Sequence, residues 1–427
     1  MPKTTLILGG GLAGLSAAVE LTRAGMKVRL LEARTQVGGR AETREREGFH
    51  LNLGAHALYA TGPAMRTLRR FGVQVNGRAP ALNGASLLFG AELARLPGGF
   101  GGLAFSPLFT GGRLSLLKLF ASVRSTPPAE LARVTAEQWL LARCPEPKSR
   151  MFVKTLIRLT SYCQDAELVS ADAVSAQLAR AQRGVMYLDR GWQPLVQGLV
   201  SRAEALGASV ETGAAVRRLL VSEGRVSGVQ LADGRRLDAD AVIVAASPSV
   251  MTMLLPNDRE CQDHAAHARP VRAACLDVAL APEAVLRREL VLGVESPLYA
   301  SLHSGAARLA PEGAHLVHLV RYLGADEAPD PEAVREELTG LLDHMGPNLR
   351  QHVRFTRYLP HVTVAHDQPQ ARRGGLPGRP PVRHGSIAGL YRAGDWVGAE
   401  GLLADASVAS AIEAARALIA DAALRAA

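Results

Sequence analysis

The apolar positions first gather in a strand-like run over residues 4–8, where two threonines lead into Leu6, Ile7 and Leu8. Glycines at 9, 10, 11 and 14 follow at once. Apolar residues then recur at helical spacing as far as Ala24, with Gly25 to end the helix. A second strand pattern over 27–31 closes on the acidic Glu32. Strand, glycine turn, helix and strand in that order predict a βαβ unit. Between about 77 and 184 the alternation is lost, and stretches such as 135–140 and 151–159 have helical spacing, so this region reads as an inserted domain. After Gly191 and Trp192 a helix is predicted over 195–205. Strands beginning near 209, at Val216 and over 226–231, with a turn at Asp233-Gly234, then read as a meander. A further strand is expected over 315–322, a surface loop over the Arg-, Gly- and Pro-rich segment 372–381, and a last helix over about 404–424.

The spacing Gly9-x-Gly11-x-x-Gly14 gains meaning from its place between a strand and a helix. Gly9 permits a tight turn and Gly11 lets the backbone approach a pyrophosphate. Gly14 allows close helix–strand packing, and Leu12 and Ala13 open the helix whose N-terminus faces the phosphates. Glu32, at the end of the second strand, is placed to accept hydrogen bonds from ribose hydroxyls and disfavours a phosphorylated ribose. The motif alone is weak; the full ordered set points to a bound dinucleotide.

Glu32-Ala33-Arg34 followed by Gly38-Gly39-Arg40 resembles the FAD-binding signature of the flavin amine oxidase and phytoene desaturase superfamily. Two glycines let the backbone lie against a cofactor, and Arg40 can neutralise phosphate. The segment Leu51-Asn52-Leu53-Gly54-Ala55-His56 is similar to the next family element, a loop passing close to the flavin. His56 there is open to two readings, a base titrating near neutrality or a hydrogen-bonding residue of the core. Far along the chain, 389–397 with Gly394, Asp395 and Trp396, then Gly401-Leu402-Leu403 and the last helix, resembles the closing motif of the same superfamily.

That resemblance covers essentially the whole length. It implies an α/β fold in which a Rossmann-like FAD-binding domain, a parallel sheet with a β-meander, takes up 1–76, 185–247 and 386–427. A discontinuous α+β substrate domain takes up 77–184 and 248–385. It also implies that residues 240–246 form the strand re-entering the parallel sheet, that backbone around Val216 contacts the adenine, and that Asp395 bonds the ribityl and phosphate region. The last helix would aim its N-terminus at the flavin pyrimidine, where reduced flavin carries negative charge. His56 and Trp396 are the catalytic candidates only because their loops are expected beside the isoalloxazine.

Composition adds limits. The balance of 49 Lys+Arg against 40 Asp+Glu gives +9, but the basic residues are scattered arginines with no nucleic-acid module, so no nucleic-acid partner is expected. Cys144, Cys163, Cys261 and Cys275 form no CxxC pair, which suits a reducing, cytoplasmic setting. Cys261, His264 and His267 are ligand types at three-residue spacing without a fourth partner, so no metal is expected. The uncharged run 4–19 looks like a leader until its glycine spacing is considered. No run is long and apolar enough to span a bilayer. The Gly-, Leu- and Phe-rich stretch 96–120 fits either a lipophilic entrance in peripheral contact with a membrane or an ordinary core helix and loop.

Within the superfamily the expected chemistry is hydride transfer from a substrate carbon to flavin N5 in a dry pocket. Many of its amine oxidases use a late lysine to hold a water near N5, whereas the last lysine here is Lys154. No cysteine follows Cys275 for covalent attachment, so the FAD is expected to be non-covalent. Trp396 is the only aromatic residue after Tyr391, so no tyrosine pair flanks the closing motif. These absences favour the phytoene-desaturase-like branch and a lipophilic, isoprenoid or carotenoid-like substrate. The alternatives are an amine oxidase acting on a small amine, and an isomerase or binding protein whose FAD keeps its redox state. With no second GxGxxG after a strand, oxygen or a quinone is the expected electron acceptor.

Overall fold

The computed structural model describes residues 4–82, 84–123 and 128–425. Thr4–Leu8 is the central strand of a parallel sheet, buried from Thr5 onward, with Lys27–Leu31 on one side and Ala241–Val244 on the other. Ser209–Glu211 extends the sheet beyond Lys27–Leu31, and Leu390–Arg392 extends it beyond Ala241–Val244, giving five parallel strands. A parallel sheet is covered on both faces, and all four residues of Ala241–Val244 are accordingly buried and apolar. The strand order reverses direction at Thr4–Leu8, and in open α/β sheets the carboxyl end of the strand at such a switch is where ligands seat. The helix Leu12–Arg23 leaves from that end. It packs against the C-terminal helix Leu403–Leu424, so the two extremes of the sequence lie together.

Val216–Ser222, Arg225–Leu231 and Arg236–Asp238 form the meander, an antiparallel three-stranded sheet. The second body is built on a seven-stranded sheet in the order Val353–Ala365, Val271–Leu280, His315–Leu323, Leu298–Leu302, Leu290–Gly293, Ala85–Phe89, Glu92–Arg95. Only the pairing of Leu290–Gly293 with Ala85–Phe89 is parallel among these. The helices Ala136–Arg143, Pro147–Ser161 and Ala171–Ala181 bury Trp139, Phe152, Ile157 and Val174 in one cluster with Val271, Ala273 and Cys275 of that sheet. Thr135 starts the first of them with a capping box to Gln138.

Within 77–184, beside the helical stretches, Ala85–Phe89 and Glu92–Arg95 form a hairpin that joins the large sheet. A run of five residues is too short for its period to separate strand from helix. One expectation from the sequence needs correction: 372–381 is not a surface loop. Gly375, Leu376, Arg379 and Pro380 are buried, and the Leu376 amide donates to Asp172 Oδ2 at 3.0 Å. Gly and Pro announced a turn correctly but say nothing about what covers it. The four cysteines are buried and free. Among the described residues no helix is long and apolar enough to cross a membrane.

Candidate functional site

At the carboxyl end of Thr4–Leu8 the glycine turn is shaped by close approaches. Gly9 has φ +107°, and a Cβ on Gly14 would lie 1.9 Å from the Gly9 carbonyl oxygen, so only glycine fits there. Gly11 differs, since a Cβ there would meet only the Gly38 carbonyl, at 3.9 Å. Beside it the first turn of Leu12–Arg23, including Leu12 and Ala13, has no side-chain cap and no acidic residue, which leaves its N–H groups to a ligand. Glu32 is pinned by two backbone donors, Gly10 N to Oε2 at 2.6 Å and Arg34 N to Oε1 at 2.8 Å. Its own carbonyl receives the Ala214 amide at 2.9 Å, which brings the start of the meander, and half-buried Val216, toward the end of the second strand. Ala33 and Arg34 are exposed, and Arg34 pairs with Glu42 at 2.9 Å.

Gly38 and Gly39, at φ +123° and +55°, run alongside the glycine turn, with Gly38 N donating to Gly10 O at 2.8 Å. This puts Arg40 against the closing motif: Nη1 lies 2.6 Å from Asp395 Oδ2 and donates to Val364 O at 2.7 Å. His366 completes the group, its amide 3.2 Å from Asp395 Oδ2 and its Nδ1 3.0 Å from Oδ1. Burial pushes the Asp395 carboxyl up, but the Arg40 charge and the His366 hydrogen bond outweigh it and hold the acid well below the usual carboxylate range. Asp395 is therefore ionised. Gly394, at φ +151°, and Ser410 fix the turn, the Ser410 hydroxyl donating to Gly394 O and the Gly394 amide donating back to Oγ, each at 2.9 Å.

The third segment, 51–56, is set by the large sheet. Asp277 on Val271–Leu280 binds His318 at 2.5 Å and Arg357 Nε at 2.8 Å, and Arg357 reaches the carbonyls of Leu51 and Asn52. Gly54, at φ +91°, sits so close to Cys275 that a Cβ would lie 3.0 Å from Sγ. The Ala55 carbonyl accepts the Tyr162 hydroxyl at 2.5 Å, and Tyr162, in the left-handed region at φ +63°, packs edge-on to Tyr322. His56 has Nδ1 2.9 Å from Gly54 O and Nε2 3.1 Å from Arg40 O, and its ring meets Trp192 edge-on. Burial lowers its pKa, with the two carbonyls opposing. Both ring nitrogens thus face backbone carbonyl oxygens, and neither is turned to a substrate proton. Trp396 is 1% exposed, with its indole N–H on Ala246 O at 2.8 Å.

Gly401, Leu402 and Leu403 lead into the C-terminal helix, whose N-cap Leu402 offers no side-chain cap. Asp405, in the first turn, is already used by the Ala64 amide and Arg180. Above these residues Ala55, Tyr162, Leu359, Val362, Val364 and Leu403 belong to one apolar cluster, continuous with Leu96, Leu103, Leu108, Leu117 and Phe120. Lys154 is elsewhere, paired with Glu137 at 2.5 Å. Cys261, His264 and His267 do not converge: Cys261 faces His384 and Asp258, His264 meets Arg373 and Trp396, and exposed His267 pairs with Asp263. Sequence reasoning missed His366, Tyr162, Cys275 and Arg379. The left-handed Tyr162 and the long-range sheet pairing have no local signature.

The glycine cradle, two uncapped helix N-termini and a buried cation, Arg379, with unpaired nitrogens fit a dinucleotide that carries both phosphate and a charge-accepting ring. The profile described as flavin containing amine oxidoreductase matches residues 12–419. The chain is 27% identical over 295 residues to a hydroxyneurosporene desaturase of Cereibacter sphaeroides, covering 59% of this chain and 57% of that protein. It is 45% identical over 78 residues to an L-amino-acid oxidase of Demansia vestigiata, covering 18% and 15%. It therefore spans little more than half of the first relative and a small part of the second. The crystal structure of an oxidoreductase from Methanosarcina mazei superposes with a TM-score of 0.76 at 20% identity, over 96% of this chain and 99% of that one, which is a likeness of fold. The chain belongs to the flavin-containing amine oxidoreductase family, and its cofactor is FAD.

Proposed function

We propose that this protein dehydrogenates or desaturates a lipophilic substrate of the isoprenoid or carotenoid type. The observation that carries this reading is that the apolar packing cluster holding Ala55 and Leu403 also holds Leu96, Leu103, Leu108, Leu117 and Phe120 of the stretch 96–120. In that stretch Phe100, Phe105 and Leu114 are 50%, 86% and 63% exposed. Aromatic and aliphatic side chains so exposed beside Arg113 and Lys118 suit peripheral contact with a membrane surface, from which a lipid would enter. A quinone in the same membrane, or oxygen, would then take the electrons.

Bound FAD supplies a hydride acceptor at flavin N5. On this reading Gly9, Gly11, Leu12, Ala13 and Gly14 take the pyrophosphate, Glu32 takes the ribose and backbone near Val216 takes the adenine. Gly38, Gly39 and Arg40 flank the phosphates, while Gly394 and Asp395 hold the ribityl region. Gly54, Ala55, Gly401, Leu402 and Leu403 frame the ring. His56 and Trp396 act as positioning residues: His56 ties the Gly54 and Arg40 loops together, and Trp396 locks the closing turn. The apolar lining excludes water and orients a substrate carbon; the proton lost after hydride departure leaves to water or a weak base.

A second reading, oxidation of a small amine, is favoured by the local match to the L-amino-acid oxidase. Anaerobic loss of the oxidised flavin absorbance separates the two. Bleaching by isoprenoid polyenes in liposomes and not by soluble amines is expected, and bleaching by an amine alone would overturn the proposal. A flavin that stays oxidised while substrate turns over would point instead to an isomerase.

A further inference from the structure

Arg379 is 8% exposed, and among the described residues its guanidinium has one hydrogen-bond partner, the Gly401 carbonyl, 3.0 Å from Nη1. Nε and Nη2 are buried with none. The acids around it are engaged elsewhere: Asp395 with Arg40 and His366, Asp367 with the Arg269 amide and Gln370, Asp172 with the Ala173 and Leu376 amides. None makes a salt bridge to Arg379 among the described residues. Burial pushes its pKa down to about 10, which still leaves it charged at neutral pH. A buried cation with open donors is costly unless an anion or carbonyl completes it, and a planar fork is suited to adjacent acceptors.

The place of this cation indicates the missing partner. Gly401, which Arg379 grips, lies two residues before Leu403, where the uncapped C-terminal helix begins. Helix N-terminus and guanidinium thus converge on one spot. Resting on the cofactor arrangement proposed above, we propose that Arg379 binds the N1–C2=O edge of the flavin and stabilises the negative charge that edge acquires on reduction. Arg379 would then set how readily the flavin accepts electrons, whatever the substrate.

Sulfite tests this without any substrate. It adds to flavin N5 through a new N–S bond, its electron pair enters the ring, and the charge settles at N1–C2=O. The holoenzyme and the variants Arg379→Lys, Arg379→Gln and Arg379→Met are titrated with sulfite, and their two-electron potentials are measured against reference dyes. Loss of the charge in the Met and Gln variants should weaken sulfite binding at least about tenfold. The matching fall in potential is about 30 mV for that tenfold change. Arg379→Lys should keep affinity within about threefold of the parent, because it keeps the charge while losing the fork. Folded Met or Gln variants that bind FAD with unchanged sulfite affinity and potential would overturn the proposal. Should neither of those fold, Arg379→Ala and Arg379→Leu carry the same test, with unchanged sulfite affinity and potential again overturning the proposal. Failure here leaves the lipid reading untouched, since that reading stands or falls on bleaching by polyenes.

Discussion

His264 links the helix Arg259–His267 to the closing motif through its neutral form. Its ring lies 4.9 Å from that of Trp396, and Nδ1 accepts from Arg373 Nη2 at 2.9 Å, which a proton on Nδ1 would forbid. Burial first, then the charges of Arg373 and Arg392, push its pKa from 6.5 down to about 3. The folded pKa is thus below the unfolded one, so in acid the unfolded chain takes a proton that the folded chain refuses. The contribution is complete above pH 6.5 and is lost progressively as pH falls toward 3. One such group gives a slope of about 1.4 kcal/mol per pH unit, so roughly 2.7 kcal/mol is lost between pH 8 and pH 4.5. Asp367, whose Oδ2 lies 3.6 Å from His264 Nε2, contributes with the opposite sign, burial having raised its pKa, so the comparison reads the net of the two neighbours. Urea unfolding of the protein and of His264→Asn, from pH 8 to 4.5, measures the difference. Asn retains an acceptor for Arg373 but cannot titrate. The variant should be less stable at pH 8 for want of ring packing, yet its stability should fall more shallowly by one proton's slope below pH 6.5. Parallel curves at every pH would refute the reasoning.

Two further substitutions probe the cofactor end. Gly14→Ala puts a methyl where the Gly9 carbonyl oxygen is 1.9 Å away, so the helix must part from the turn; a lowered melting temperature and little retained 450 nm absorbance are expected, from overpacking of about 1–3 kcal/mol or more. Asp395→Asn removes the charge facing Arg40 and His366, and because Arg40 is about one-third exposed the expected loss, read from the urea midpoint, is about 2–3 kcal/mol, with a weakened FAD dissociation constant beside it.

The first βαβ unit was legible because its physics is local. Gly14 and Gly25 each answer to the chain within a few positions, and Glu32 marks a strand end whatever packs on it. The closing segment was legible for a similar reason, with Gly394, Asp395 and the uncapped helix adjacent in sequence. The hidden parts are those assembled by distant pairing. His366 reaches Asp395 because Val353–Ala365 is the edge strand of a sheet whose order no local pattern encodes. Ala85–Phe89 lies between its hairpin partner Glu92–Arg95 and Leu290–Gly293, which comes from far along the chain. Arg379 sat in a Gly- and Pro-rich stretch that composition assigns to solvent, and its burial depends on Leu376 packing with Ala173 and Leu402.

Charge is segregated within this site, and that bears on the substrate. Arg40, Asp395 and His366 are tied to one another at one end, and Arg379 is a cation, so neither offers a free anion to an incoming ammonium. The apolar cluster beside it holds Ala55, Tyr162, Leu359, Val362 and Leu403, and the Tyr162 hydroxyl is spent on the Ala55 carbonyl. An amine entering there would shed its water with no partner to replace it, which costs several kcal/mol unless it first gives up its proton. A polyene loses only unfavourable hydration on the same path, about 25 cal/mol gained per Å² buried. On the proposed arrangement the selectivity therefore arises from what the lining omits, and an acid introduced at Leu359 or Val362 would be the kind of change that opens the site to amines.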